Sequence, residues 1–263
     1  MLNKLLKYDL KYMIKNMSIF YILAIFFAIT TRILFLMNQT VIVNIIGQIS
    51  VGCLFAMLAN ILINTMMRSW IRFRDSIYKD EAYLTHTLPV TKNDIYNSKF
   101  IQTLVFFIVG FLVIILSLFI AYYTKDRWIE LKDLISTITT GLDFNTTLFV
   151  ISFILIIFLE VFNAIQCGFF GIIMGYKRNN NKIGFSVLFG FIAYLLSQSI
   201  VLFLVFIVGL FNQSIMNLFT SNILLDTRSF KLLIFLSIGL YLIIIGLMSI
   251  LCKKEFNKGV NIE

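Results

Sequence analysis

The stretch TLFVISFILIIFLEVFNAIQCGFFGIIMG, Thr147–Gly175, decides the fold class. It is almost wholly apolar and carries one charged residue, Glu160. At ~1.5 Å per residue, a helix of this length outruns a hydrocarbon core of roughly 30 Å. Lipid offers no water to a bare N–H or C=O, so such a segment closes its own backbone hydrogen bonds as a helix. Five further stretches read the same way: Ser18–Met37, Val41–Met67, Phe100–Tyr123, Ile183–Phe211 and Lys231–Cys252. The prediction is an all-α transmembrane protein, a six-helix polytopic bundle.

The composition agrees, since 60% hydrophobic residues with a single Pro suit no ordinary soluble domain. The loops then set the orientation. Lys4, Lys7, Lys11 and Lys15 precede the first span, and Arg68, Arg72, Arg74, Lys79, Lys92 and Lys99 join the second to the third. Lys177, Arg178 and Lys182 join the fourth to the fifth, and Lys253, Lys254 and Lys258 follow the sixth. These sixteen fall on one side, against five (Lys125, Arg127, Lys132, Arg228, Lys231) on the other. The positive-inside rule puts the sixteen, and both termini, in the cytosol of a cell with a multi-pass plasma-membrane protein. The formal charge of +9 then reflects topology and contact with the anionic lipid bilayer, not nucleic-acid binding.

The arm Met1–Met17 repeats Leu2, Leu5, Leu6, Leu10, Met13, Ile14 and Met17 at helical spacing, with the four lysines opposite. That pattern predicts an amphipathic interfacial helix on the inner leaflet rather than a cleaved signal peptide, whose apolar core is shorter. Cys53, Cys167 and Cys252 all fall in apolar spans and read as small buried hydrophobes, and His86 is the only histidine, so no metal site is expected.

Only Asn38, Gln39 and Thr40 join the first two spans, which must form an antiparallel hairpin. Two outer loops have room for a short helix. One carries Trp128, Leu131, Ile135 and Ile138 on one helical face, and the other is Ser214–Leu225. The division expected is an interfacial helix over 1–17, a hairpin over 18–67 and a cytoplasmic connection over 68–99. Spans three to six then occupy 100–252, with a tail over 253–263.

The connection 68–99 is the most informative loop. It opens with Arg68-Ser-Trp-Ile-Arg-Phe-Arg74, suited to headgroups. A short helix is predicted over Lys79–Leu88, ending before Pro89, which disfavours helical geometry at Leu88. Thr91-Lys-Asn-Asp94 then reads as a capped start for a helix that runs through Lys99 into the third span.

The amphipathic arm, six spans, small outer loops and the elbow Asp80-Glu-Ala-Tyr-Leu-Thr-His-Thr-Leu-Pro-Val-Thr91 together resemble the permease subunit of an ABC type-2 exporter. That elbow stretch is close to the pattern of small bacterial permeases for drug, bacteriocin or cytotoxic-peptide export and immunity. The architectural likeness covers the whole chain, and the specific sequence signal covers Asp80–Lys99. The large outer domains of some peptide-sensing permeases have no counterpart here. The resemblance implies that the arm is an elbow helix. It also implies that Asp80, Glu81, Tyr83, Leu84, His86, Leu88 and Pro89 belong to the region seated on a cytosolic ATPase subunit. The permease would act with a second copy or a similar permease, and ATP and Mg would sit on the partner subunit.

The sequence contains no Gly-x-x-x-x-Gly-Lys-Ser/Thr, His-Glu-x-x-His or Gly-x-Ser-x-Gly, so neither ATP hydrolysis nor another catalytic activity is expected of this chain. Glu160 is the outlier, because an ionised carboxylate in mid-span is costly unless paired, hydrated or neutral. Asn163 and Gln166 follow at steps of three, and the second span carries Asn44, Gln48, Asn60 and Asn64. Two readings stand. Glu160, Asn163, Asn60 and Asn64 line a substrate path, or Glu160 is protonated structural glue between helices. Arg32 is expected to snorkel to outer headgroups. Ala164, Gly168, Gly171 and Gly175 put small residues four apart, read as packing within the chain. The functional expectation is an ATP-driven exporter permease for an amphipathic peptide, drug or lipid-like cargo. The alternative is a non-transporting membrane anchor or assembly protein that recruits a cytosolic partner.

Overall fold

The structure, a computed structural model, describes residues 2–37, 40–79, 81–141, 144–216 and 227–259. The described residues are helical throughout apart from short turns, and they fall into two compact units, 2–128 and 129–259. Six of the helices are long and apolar enough to cross a membrane, which makes this a multi-pass membrane protein. Large apolar side chains such as Ile22, Leu112, Val187 and Phe203 stand exposed along them, as a lipid solvent permits.

The first unit holds α1 (Leu2–Leu36), α2 (Val41–Tyr78), α3 (Ala82–Thr87) and α4 (Lys92–Tyr122), with α1 packed on both α2 and α4. Thr40 starts α2 by accepting a hydrogen bond from the Val43 N–H at 3.3 Å. Ala24 and Ala28 of α1, Leu54, Leu58 and Ile61 of α2, and Ala121 of α4 make one fully or nearly buried cluster. Above it the Thr31 and Ser50 hydroxyls meet at 2.9 Å, which satisfies two polar groups that would be costly alone in apolar surroundings.

The arm and the first span differ from the expected division. They form one continuous helix, α1, with no break at Met17. No Gly or Pro lies within Leu2–Leu36 to interrupt the backbone ladder, and Met13 and Met17 are fully buried against Phe106 of α4. The four arm lysines stay exposed on the other side. Likewise α2 runs past Met67 to Tyr78, so the basic cluster Arg68–Arg74 is the last part of a long helix. Arg32 donates to the carbonyl of Tyr123, the residue that ends α4, and so serves one of that helix's orphan acceptors.

The helix α5 (Lys125–Gly141) contains the division between the units, and its Trp128, Leu131 and Ile138 are exposed. The second unit continues with α6 (Thr146–Gly175), α7 (Lys182–Phe211), α8 (Gln213–Met216) and α9 (Thr227–Asn257). Of the loop Ser214–Leu225, residues 217–225 lie outside the described residues. Asn145 caps α6 through Thr147 N–H at 3.0 Å, and Asn181 caps α7 through Gly184 N–H at 3.3 Å.

The α6–α7 hairpin closes along glycines. A methyl group on Gly171 would lie 2.6 Å from the Gly190 Cα, and one on Gly175 would lie 2.5 Å from the Ser186 Cα. The small residues of the fourth span therefore pack within the chain, as their spacing suggested. In the turn of the hairpin Lys177 pairs with Glu255 of α9, which also binds Lys258 at 2.5 Å. The segment after Cys252 thus begins as helix, with Phe256 fully buried.

Candidate functional site

The elbow between α2 and α4 is built from three short-range devices. Lys79 leaves helical geometry after Tyr78, Glu81 occupies the position before α3, and Leu88 is extended ahead of Pro89. Thr91 then caps α4, accepting from the Asp94 N–H at 3.2 Å while its hydroxyl donates to the Asp94 carboxylate at 2.8 Å. The helix predicted over Lys79–Leu88 is shorter, Ala82–Thr87, because its first residues go to the end of α2 and to the turn. Asp80 lies outside the described residues.

The predicted coupling residues divide between two faces. Tyr83 (68% exposed), Leu84 (71%), Leu88 and Pro89 point outward, while Ala82 and Thr85 are buried beneath them. His86 turns back, its Nε2 3.1 Å from the Ile77 carbonyl of α2. Glu81, half exposed, accepts from Arg72 Nη1 on both carboxylate oxygens at 2.7 Å.

Arg72 leads into a buried ion cluster. Its Nε donates to Asp9 Oδ1 at 2.9 Å, and the Lys99 ammonium reaches the same oxygen at 2.5 Å. Ser98 donates to Asp9 Oδ2 at 2.9 Å, and the guanidinium lies 4.7 Å from the centre of the Tyr12 ring. Asp9 is 1% exposed and Lys99 2%. One carboxylate of α1 is thereby shared by a cation of α2 and a cation of α4. The Arg72 fork also binds a carboxylate of the elbow. Two cations face two anions, so no charge is stranded in a medium where an isolated ion is expensive.

Sequence reading counted Arg72 and Lys99 as loop charges and passed over Asp9. A signal was present: Asp9, Met13 and Met17 are spaced by four, which puts the arm's one acid on its apolar face. An acid at that register calls for a cation, a hydrogen-bond donor or a proton of its own.

The intramembrane polar residues form a second constellation, in the second unit. The Asn163 amide donates to the Ser197 hydroxyl at 2.9 Å, and that hydroxyl donates to the Tyr194 carbonyl at 2.8 Å. Asn163 and Gln166 are fully buried, as an inward-facing stripe requires. The Tyr241 hydroxyl of α9 donates to Gln198 Oε1 at 3.2 Å. Glu160 is half buried, within electrostatic reach of the Tyr194 and Tyr241 hydroxyls. Asn163 thus links α6 to α7 while Glu160 stays more accessible.

Asn60 and Asn64 belong to the first unit, where they bond along their own helix. Asn60 donates to the Ala56 carbonyl and Asn64 to the Asn60 carbonyl, each at 3.0 Å. Such i−4 bonds satisfy the amides locally, with both side chains half buried.

A shallow apolar groove of about 370 Å³ runs between α1 and α2, lined by Phe26, Thr30, Ile33, Ile46, Ile49 and Cys53. It offers little but hydrocarbon. Among the described residues, the elbow with its ion cluster and the Glu160 constellation gather ionisable and amide side chains. Compared with protein-family profiles, with curated proteins and with solved structures, the chain matches none of them.

Proposed function

We propose that this chain is the permease subunit of an ATP-driven exporter, with the elbow as the surface that seats a cytosolic ATPase. One observation carries the reading: α3 is buried on one face and presents Tyr83 and Leu84, nearly bare, on the other. A six-residue helix held rigidly between two membrane helices, with an apolar tip, suits a partner that pushes on the spans. An exposed Tyr–Leu pair beside charged groups has the composition of a small docking core with a polar rim. The sequence resemblance over Asp80–Lys99 supports the same assignment, as does the charge bias that orients the elbow toward the cytosol of a plasma-membrane protein.

ATP and Mg would be bound by the ATPase, and the permease would work with a second copy or a similar permease. The cargo is an amphipathic peptide, drug or lipid-like molecule, moved past Glu160 and the tyrosines around it. The test is a pull-down of the full chain from native membrane, with ATP hydrolysis assayed on wild type and on Leu84→Glu. Because Leu84 is exposed, the variant should insert and fold normally yet lose most of the associated ATPase. A well-folded wild-type chain that brings down no ATPase would shift the assignment to a membrane anchor for a different cytosolic partner.

A further inference from the structure

We propose that Asp9, Arg72, Glu81 and Lys99 form a charge latch that links the position of the elbow to the position of α1, with Arg72 as its pivot. The argument starts from connectivity. Glu81 does not bond to α1 and Asp9 does not bond to α3, yet both are held by one guanidinium, through Nη1 and Nε respectively. A planar fork with fixed donors cannot rotate toward one carboxylate without misaligning the other. Lys99 adds α4 to the same Asp9 oxygen, so three long helices and the elbow meet at one point.

The two arms of the latch differ in environment. The Asp9 side chain is 2% exposed and the Glu81 side chain 46%. Water can replace Arg72 at Glu81, whereas at Asp9 its departure would leave the carboxylate to Lys99 and Ser98 and a buried guanidinium nitrogen without its acceptor. Glu81 is therefore the arm that releases, and Asp9 is the fixed end. When α3 is displaced, Arg72 loses the outer carboxylate that fixes its guanidinium, and its bond to Asp9 is then oriented from one side only. Movement at the surface thus becomes looseness at the start of α1.

What pushes α3 rests on the permease reading above, but the linkage itself is a property of this chain. It can be measured without any partner, by hydrogen exchange on the full chain in lipid nanodiscs. Glu81→Gln should speed exchange about tenfold in α3 and also across residues 4–12 of α1, a segment that Glu81 reaches through Arg72. Asp75→Asn, which removes only the local pair with Arg74, should leave both segments unchanged. Arg72→Lys keeps the charge but cannot hold both carboxylates, so it should loosen α1 by itself and abolish any further effect of Glu81→Gln. Unchanged exchange in residues 4–12 of Glu81→Gln overturns the latch. So does a Glu81→Gln effect that persists in full on the Arg72→Lys background. Because no ATPase is present, loss of the permease reading alters neither outcome.

Discussion

Asp9 gathers three buried polar partners in the first unit. Its Oδ1 serves two cations and its Oδ2 one hydroxyl, all away from water. Asp9→Asn keeps the shape but leaves Lys99 facing a neutral amide, and breaking a buried pair typically costs about 3–5 kcal/mol. The thermal midpoint of the purified chain should fall clearly, and adding Lys99→Met, which removes the stranded ammonium, should restore part of the loss. A variant that melts with wild type would show that water already reaches this cluster. Glu160 makes the opposite prediction. It is half buried and sits outside the Asn163–Ser197 bond, so Glu160→Gln should leave stability within about 0.5 kcal/mol of wild type. If the carboxylate lines the cargo path, the same variant should lose cargo stimulation of the associated ATPase. Unchanged stimulation removes Glu160 from the path.

At the scale of elements, the spans were the most legible part, because the free energy of transfer into lipid is read along the chain and needs no partner. The cap at Thr91 and the stop at Pro89 were legible for the same reason, being local chemistry. What escaped was set by contacts distant in sequence. Asp9 finds Arg72 and Lys99 far along the chain, and a single acid among four lysines reads as a solvated residue until its register is weighed against Met13 and Met17. The pattern sets 1–17 apart as an interfacial helix, yet nothing in Leu2–Leu36 interrupts the backbone, and α4 covers part of the apolar face expected to rest on the inner leaflet. The glycine pattern of α6 was readable, but not its partners Ser186 and Gly190. That pairing gives a sharp contrast. A methyl on Gly171 meets α7 backbone at 2.6 Å, while one on Gly190 meets nothing nearer than 3.5 Å. Gly171→Ala should therefore force the hairpin apart at a cost of about 1–3 kcal/mol. Gly190→Ala should be nearly neutral in the same thermal assay, and equal losses from the two would mean that the helices are farther apart than described.

For the whole molecule, the structure refines how its charges bear on the way the chain faces. Arg72 and Lys99 are consumed in the buried cluster, and Lys177 and Lys258 share Glu255. Fewer free cations thus face the lipid headgroups than the sequence count suggests. Orientation should nonetheless hold, because the positive-inside bias counts Lys and Arg near the spans and is little affected by neighbouring acids. The cations left unpaired include the exposed arm lysines Lys4, Lys7, Lys11 and Lys15, the group best placed to meet an anionic leaflet. Single cysteines at exposed Lys7, Thr87 and Lys132, with Cys53, Cys167 and Cys252 replaced by Ser or Ala, give a direct reading. In intact cells an impermeant maleimide should label Lys132→Cys and leave Lys7→Cys and Thr87→Cys unmodified until the membrane is opened. The reverse pattern would place the elbow outside, where no ATP-driven partner could reach it. The charge latch would then stand as a structural linkage without that input, and the exporter reading would be lost even if every helix lay where the structure puts it.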